Sequence, residues 1–114
     1  MMDITPRQAE VEPVSVASVR DDVVVLDVGD VTGALVLYTA PGDADREIHL
    51  HPVTGGASTH NVVRERRMGR SLTHAAIFPS LEAGTYMTDP PPHADSGKRV
   101  EVVGGAVVEV TWSR

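Results

Sequence analysis

The chain has 114 residues, of which 41% are hydrophobic and 23% charged, a composition that excludes a disordered chain and suits one globular domain. Its formal net charge of -6 opposes general binding to nucleic acid or to an anionic membrane, because both depend on surplus Lys and Arg. The chain has no cysteine, which excludes disulfides, thiolate zinc ligands and thiol nucleophiles.

The N-terminal sequence has no basic stretch followed by an apolar run of signal-peptide length. Nowhere do about 18 apolar residues follow one another, as a membrane-spanning helix requires. We therefore expect a cytoplasmic protein. Residues 1–10, with Pro6 and several polar side chains, are predicted to be an N-terminal arm, and residues 11–114 a single domain.

Valine dominates the apolar residues, and β-branched side chains favour strands over helices. In the first half of the domain the pattern predicts an irregular edge strand at 11–19, since Pro13 cannot donate to a ladder. Two apolar runs, 23–28 and 33–39, are predicted to be central strands. At 46–52 the alternation is regular, with Ile48 and Leu50 on one face.

The second half continues as short strands separated by turn signals. Strands are predicted at 59–66, 72–78, 85–88, 99–103 and 106–112. Residues 68–71 predict a tight hairpin turn, 79–84 a corner, and Gly104-Gly105 a two-residue hairpin between the last two strands. No segment combines a helix cap with a 3.6-residue apolar period. The sequence thus predicts an all-β, immunoglobulin-like or prealbumin-like antiparallel β-sandwich of about seven to nine short strands.

One segment, Ala76–Met87, carries a family resemblance. Its aromatic strand end, Leu, Gly and Tyr-bearing strand resemble a recurrent piece of prealbumin-like sandwiches, which the carboxypeptidase regulatory-like domains and the collagen-adhesin B-type repeats also contain. In physical terms, Phe78, Leu81 and Tyr86 are expected to enter one core, while Gly84 permits a turn. Because those families mostly serve as stalks, spacers or attachment modules, the resemblance implies a non-catalytic role.

Two known activities of prealbumin-like proteins do not transfer to this chain. Isopeptide formation in adhesin repeats needs a suitably placed Lys, and the only one here is Lys98, in a polar loop. Related enzymes of purine breakdown end in a basic-aromatic motif that Thr111–Arg114 does not match.

The histidines are the most suggestive side chains for metal chemistry. His49 and His51 lie two apart on one predicted strand and therefore share a face, where two imidazoles can ligate a metal ion such as zinc. His60 and His74 lie on the two following predicted strands and could join them. The alternative is that all four histidines simply face solvent, with no cofactor bound.

A basic cluster interrupts the acidic chain. Arg64, Arg66, Arg67 and Arg70 fall within seven residues and predict either an interaction patch or the solvated end of a hairpin. A small hydrolase is a weaker alternative, because no Ser occupies a Gly-x-Ser-x-Gly elbow, and Ser58 and His60 belong to no recognisable motif. The leading hypothesis is a non-enzymatic accessory or interaction module that contacts another protein or itself, for instance by strand addition. A histidine-based metal-binding protein is the second hypothesis.

Overall fold

The computed structural model describes residues 28–114. The predicted arm at 1–10 and the strands predicted at 11–19 and 23–28 lie outside that range, except for Val28. The described part has eight strands and a short 3-10 turn: β1 (Thr32–Thr39), the 3-10 turn (Pro41–Asp43), β2 (Glu47–Pro52), β3 (Thr59–Val62), β4 (Arg64–Met68), β5 (Ser71–Glu82), β6 (Gly84–Thr88), β7 (Arg99–Val102) and β8 (Val107–Thr111). No helix in these residues has the length and apolar character needed to cross a membrane.

The strands form two four-stranded sheets. The first sheet has the order β4-β5-β1-β8 and the second sheet the order β3-β2-β6-β7. The all-β prediction is confirmed. The antiparallel prediction is wrong for one pair, since β1 and β8 run parallel. The chain crosses from the second sheet to the first between β7 and β8, which brings β8 alongside β1 in the same direction.

That crossing also overturns the two-residue hairpin predicted at Gly104-Gly105, because β7 and β8 lie in different sheets. Gly104 is required by close approach: a Cβ there would lie 2.1 Å from the carbonyl oxygen of Asp30. Gly33 is equally crowded, with the carbonyl oxygen of Val103 2.3 Å from a Cβ placed on it. The glycines let the crossing segment pass against the start of β1.

The space between the sheets is filled by apolar side chains from both of them. Twelve buried residues form this core: Leu35, Leu37, Ile48, Leu50, Val63, Ala76, Phe78, Leu81, Tyr86, Val100, Val102 and Trp112. The expectation that Phe78, Leu81 and Tyr86 share one core is confirmed. The Tyr86 hydroxyl donates to the carbonyl oxygen of Glu82 (2.6 Å), so its polar end is satisfied inside the apolar surroundings.

The single strand predicted at 59–66 is wrong, because the chain changes sheets in its middle. β3 belongs to the second sheet and β4 to the first, and Val63 between them is fully buried. The N–H of Val63 donates to the Arg46 carbonyl, and the Val63 carbonyl accepts from the Asp45 N–H, both at 2.8 Å. The β4–β5 ladder ends at Ala75, so strand pairing with β4 does not reach the carbonyl of Ile77. The Asn61 side chain donates a hydrogen bond to that carbonyl instead (2.7 Å).

The corner predicted at 79–84 is also wrong, because β5 continues through Pro79 to Glu82 and only Ala83 separates it from β6. Pro79 is tolerated because the β1–β5 register shifts between Gly33 and Leu35, so that the proline lies in an irregular stretch of the ladder. The hairpin turn predicted at 68–71 is confirmed, with Met68 opposite Ser71.

Candidate functional site

The outer face of the second sheet carries the candidate site. Along β2, Ile48 and Leu50 are fully buried. The alternate residues His49 and His51 therefore point to the opposite side of the sheet, as predicted. Pairing of β2 with β3 places His60 directly opposite His49. The fourth predicted ligand, His74, lies on β5 in the first sheet, opposite Glu65 and Thr39. Three of the four histidines are therefore brought together and the fourth is not.

Two carboxylates complete this group, which we call the histidine face: Glu47, His49, His51, His60 and Asp89. Asp89 Oδ2 lies 2.9 Å from His49 Nδ1, and Asp89 Oδ1 lies 3.3 Å from His51 Nε2. Glu47 Oε1 lies 3.6 Å from His49 Nε2, and Glu47 Oε2 lies 3.3 Å from His60 Nε2. His49 is therefore the central ring, with a different carboxylate at each of its nitrogens.

Asp89 is held in place by its own backbone and by the core. Its N–H donates to the His49 carbonyl (3.1 Å), and its carboxylate accepts the His49 N–H (2.8 Å). Its carbonyl accepts from the buried Trp112 Nε1 (3.0 Å) and from the Thr88 hydroxyl (2.6 Å). The position of this carboxylate thus depends on an indole at the end of β8, in the other sheet.

The rings themselves have two distinct arrangements. His49 and His51 are stacked, with centroids 6.2 Å apart and planes 16° apart. His49 and His60 are tilted by 45°, with centroids 5.2 Å apart. The nitrogen lone pairs of imidazole lie in the ring plane. The His49–His60 pair can therefore direct nitrogens to a common point, whereas the stacked pair directs them side by side.

The environment keeps Asp89 ionised. Burial, the largest single influence, raises its pKa, but hydrogen bonds from the His49 backbone and ring and from the His51 ring outweigh burial, and the pKa lies below its usual value. The other members of the face remain accessible: the side chains of Glu47 and His51 are each 51% exposed and that of His60 56%. The face is thus acidic, hydrogen-bonded and open to solvent.

As it stands, no group of three or more His, Cys, Asp or Glu side chains within residues 28–114 is arranged to hold a metal ion. Each ring nitrogen of the histidine face that makes a contact faces a carboxylate oxygen. The arrangement therefore places imidazoles, which can donate or accept protons, next to carboxylates, which can bind cationic groups.

The predicted arginine patch is divided by the structure. Arg64, Arg66 and Arg67 lie on the edge strand β4, and Arg70 lies in the turn that follows it. Arg66 is only 7% exposed, while Arg64, Arg67 and Arg70 are exposed. Alternation along β4 places Arg64 and Arg67 on opposite sides of the strand. Arg64, Arg67 and Arg70 are therefore the exposed members of the predicted patch, and its role as an interaction surface stays a prediction.

Sequence reasoning missed the roles of both carboxylates. The alternation along β2 placed Glu47 on the same face as His49 and His51, which is a sufficient signal for its proximity to them. No such signal existed for Asp89, which lies 40 residues from His49 in sequence and reaches it only through β2–β6 pairing.

A further polar cluster lies where the C-terminus meets the 3-10 turn. Buried Asp43 accepts from Arg46 Nε (3.0 Å) and from the Ser113 hydroxyl (2.5 Å). An open cleft of about 490 Å³ adjoins it, lined also by Trp112 and Lys98. The Ser113 hydroxyl donates to Asp43 and accepts from the Ala40 N–H, so it holds the C-terminal residues against the 3-10 turn. Its role is therefore structural.

Comparisons with family models, with curated proteins and with solved structures find no match to this chain. Its function can therefore be inferred only from its own residues and their geometry.

Proposed function

We propose that this domain is a non-enzymatic binding module that acts through protein contact, and that the histidine face is its contact surface. The observation that carries the proposal is the ordering of five titratable side chains on a solvent-facing sheet surface, through contacts of 2.8–3.6 Å between β2, β3 and Asp89. Side chains already held in place lose less conformational entropy when a partner binds.

The two outer sheet surfaces differ in a way that supports this choice. On the outer side of the first sheet, Val36, Ala75 and Ile77 form a second buried cluster. On the outer side of the second sheet, by contrast, Glu47, His51 and His60 are exposed. The second sheet therefore offers the accessible surface.

Charge indicates the kind of partner. Register places Glu101 and Arg99 of β7 on the same outer face as Glu47 and Asp89, so that three carboxylates accompany one guanidinium. Such a surface is complementary to a protein segment rich in Lys or Arg, and complementarity of this kind speeds association and makes it sensitive to salt. We propose a basic segment of another cytoplasmic protein as the occupant.

The test is quantitative capture from native lysate on three baits: the unmodified protein, Glu47→Lys and Glu65→Lys. Glu65 is a matched control, because it is an exposed strand glutamate in the first sheet. A captured protein supports the proposal only if Glu47→Lys loses it, Glu65→Lys keeps it, and the purified pair binds directly with salt-dependent affinity. Partners that bind all three baits equally, or self-association alone, would refute it.

We also infer that the sandwich is of the immunoglobulin-like or prealbumin-like kind. The Tyr86 hydroxyl bonded to the carbonyl four residues earlier, next to Phe78 and Leu81 in one core, supports this, because a tyrosine corner is a feature of Greek-key sandwiches. The inference predicts that an experimental structure covering residues 1–114 retains this corner and shows Greek-key connections between its two sheets. Loss of the corner or a strand order without Greek-key connections would contradict it.

A further inference from the structure

We propose that the open cleft beside Asp43 is a binding site for a small phosphate monoester, with Arg46 and Lys98 as its cationic contacts. The cleft has a volume of about 490 Å³, and small-molecule sites have volumes of roughly 300–1,000 Å³. Its lining comes from the 3-10 turn and the residues after it, the loop between β6 and β7, and the end of β8. This site is separate from the histidine face and does not depend on the protein-contact proposal.

The charge of the cleft has the opposite sign to that of the whole chain, whose formal net charge is -6. Among the lining side chains in residues 28–114, those that are exposed and permanently charged are the cations of Arg46, Lys98 and Arg114. The lining has one carboxylate side chain in that range, Asp43, which is buried and accepts hydrogen bonds from Arg46 and Ser113. A local excess of cations on an acidic molecule indicates an anionic ligand.

Asp43 positions the first cation. Arg46 Nε donates to Asp43 Oδ1 (3.0 Å), while the Ser113 hydroxyl holds the other oxygen of the same carboxylate. This contact uses Nε alone, so the two Nη groups at the end of the guanidinium keep their N–H donors. The Arg46 side chain is 49% exposed, which leaves that end accessible. A guanidinium fork can bind two phosphate oxygens through parallel hydrogen bonds, and this one is already held in place.

A main-chain carbonyl positions the second cation. Lys98 Nζ donates to the Thr111 carbonyl oxygen (2.6 Å), which ties this side chain to the end of β8. An ammonium group has three N–H donors, so donors remain for a ligand. Two cations at one cleft favour a dianion, because a phosphate monoester carries about −1.5 to −2 charges at neutral pH and a carboxylate carries only one. The charges therefore favour a phosphate over a carboxylate.

The remaining wall of the cleft suits an apolar ligand body. Pro91, Pro92 and Ala94 line it, and the Ala94 N–H donates to the Pro91 carbonyl (3.1 Å), which closes a turn in that wall. Because proline fixes its own backbone φ angle, little of this wall has to become ordered when a ligand binds. Trp112, which is 2% exposed, also lines the cleft. We therefore expect the phosphate to carry a small apolar group.

The experiment is titration of phenyl phosphate into the full-length chain at neutral pH and low salt, followed by nitrogen-15 NMR shifts, with the Trp112 indole N–H as a reporter at the cleft. The variants are Lys98→Gln, which removes one cation, and Arg46→Lys, which keeps the charge beside Asp43 and removes the fork. Arg99→Gln is the matched control, because Arg99 is the next residue after Lys98, is exposed, and does not line the cleft. We expect one saturable site, about tenfold weaker in Lys98→Gln and Arg46→Lys and unchanged in Arg99→Gln.

Three further probes test the ligand class: benzoate, inorganic phosphate and phenol should all bind more weakly than phenyl phosphate. Absence of saturable shifts at the cleft would overturn the proposal, as would equal weakening in Lys98→Gln and Arg99→Gln, which would indicate non-specific attraction. Benzoate binding as tightly as phenyl phosphate would contradict the phosphate assignment, and phenol binding as tightly would contradict an anionic ligand. The same spectra verify that each variant is folded, and the exposed Lys98→Gln decides the outcome if Arg46→Lys is unstable.

Discussion

At the scale of single residues, the histidine face depends on side chains that lie beneath it. Trp112 is 2% exposed, and its Nε1 donates to the Thr88 hydroxyl (3.1 Å) and to the Asp89 carbonyl (3.0 Å). Thr88 in turn accepts the N–H of Lys98, which closes the loop between β6 and β7. The indole therefore fixes the main chain at the point from which the Asp89 carboxylate reaches His49.

Replacing Trp112 with Phe should destabilise the fold by about 2–4 kcal/mol, because it removes both hydrogen bonds of the buried indole and creates a cavity. Equilibrium urea unfolding measures the effect. The Leu72→Ala variant is the control, since Leu72 is 54% exposed and its loss should cost under about 0.5 kcal/mol. Equal losses in the two variants would contradict the assigned role of the indole.

Tyr38 predicts a loss of stability in alkaline solution. Burial, the hydrogen bond to Glu109 (2.7 Å) and the charge of Glu109 all raise the pKa of its hydroxyl. A raised folded-state pKa contributes stability below the unfolded value of about 10, which is lost as the pH rises above it. As the pH rises above about 10, the urea concentration at the unfolding midpoint should therefore fall less steeply for Tyr38→Phe than for the unmodified protein. Identical slopes for the two proteins would refute the prediction.

At the scale of elements, the fold is determined by where the chain changes sheets. The crossings at residues 40–46, at Val63, at Ala83 and at residues 103–106 alternate with hairpins, so that neighbouring strands in sequence often belong to different sheets. Local signals for these crossings resemble those for ordinary turns. Gly104-Gly105 predicted a hairpin by its composition, whereas its glycines serve a close approach to Asp30 that only tertiary packing reveals.

The crossing between β7 and β8 can be tested through Gly104. A methyl group there would overlap the Asp30 backbone, so Gly104→Ala should destabilise by about 1–3 kcal/mol or more. Gly42→Ala is the matched control, because a Cβ at Gly42 meets no atom within 4 Å and its effect should be near zero. Thermal unfolding compares the two, and similar melting temperatures would show that the crossing is not so tightly packed.

At the scale of the whole molecule, sequence reasoning succeeded where the pattern was local. Alternation around Ile48 and Leu50 predicted the direction of His49 and His51, and valine-rich runs predicted an all-β chain. It failed where register or topology decides: His74 lies in the other sheet, and Asp89 reaches His49 across β2–β6 pairing. Contacts of this range depend on the packing of both sheets, which no short window of sequence encodes.

The histidine face exists only if β2 and β3 pair in the register that places His60 opposite His49. The most direct measurement is the set of nuclear Overhauser effects among histidine ring protons in the metal-free protein. The structure predicts cross-peaks between the rings of His49 and His60, whose centroids lie 5.2 Å apart, and none from His74 to either. A β3 register shifted by one residue would turn His60 to the other face, and the absence of the His49–His60 cross-peak would contradict the β2–β3 pairing described here.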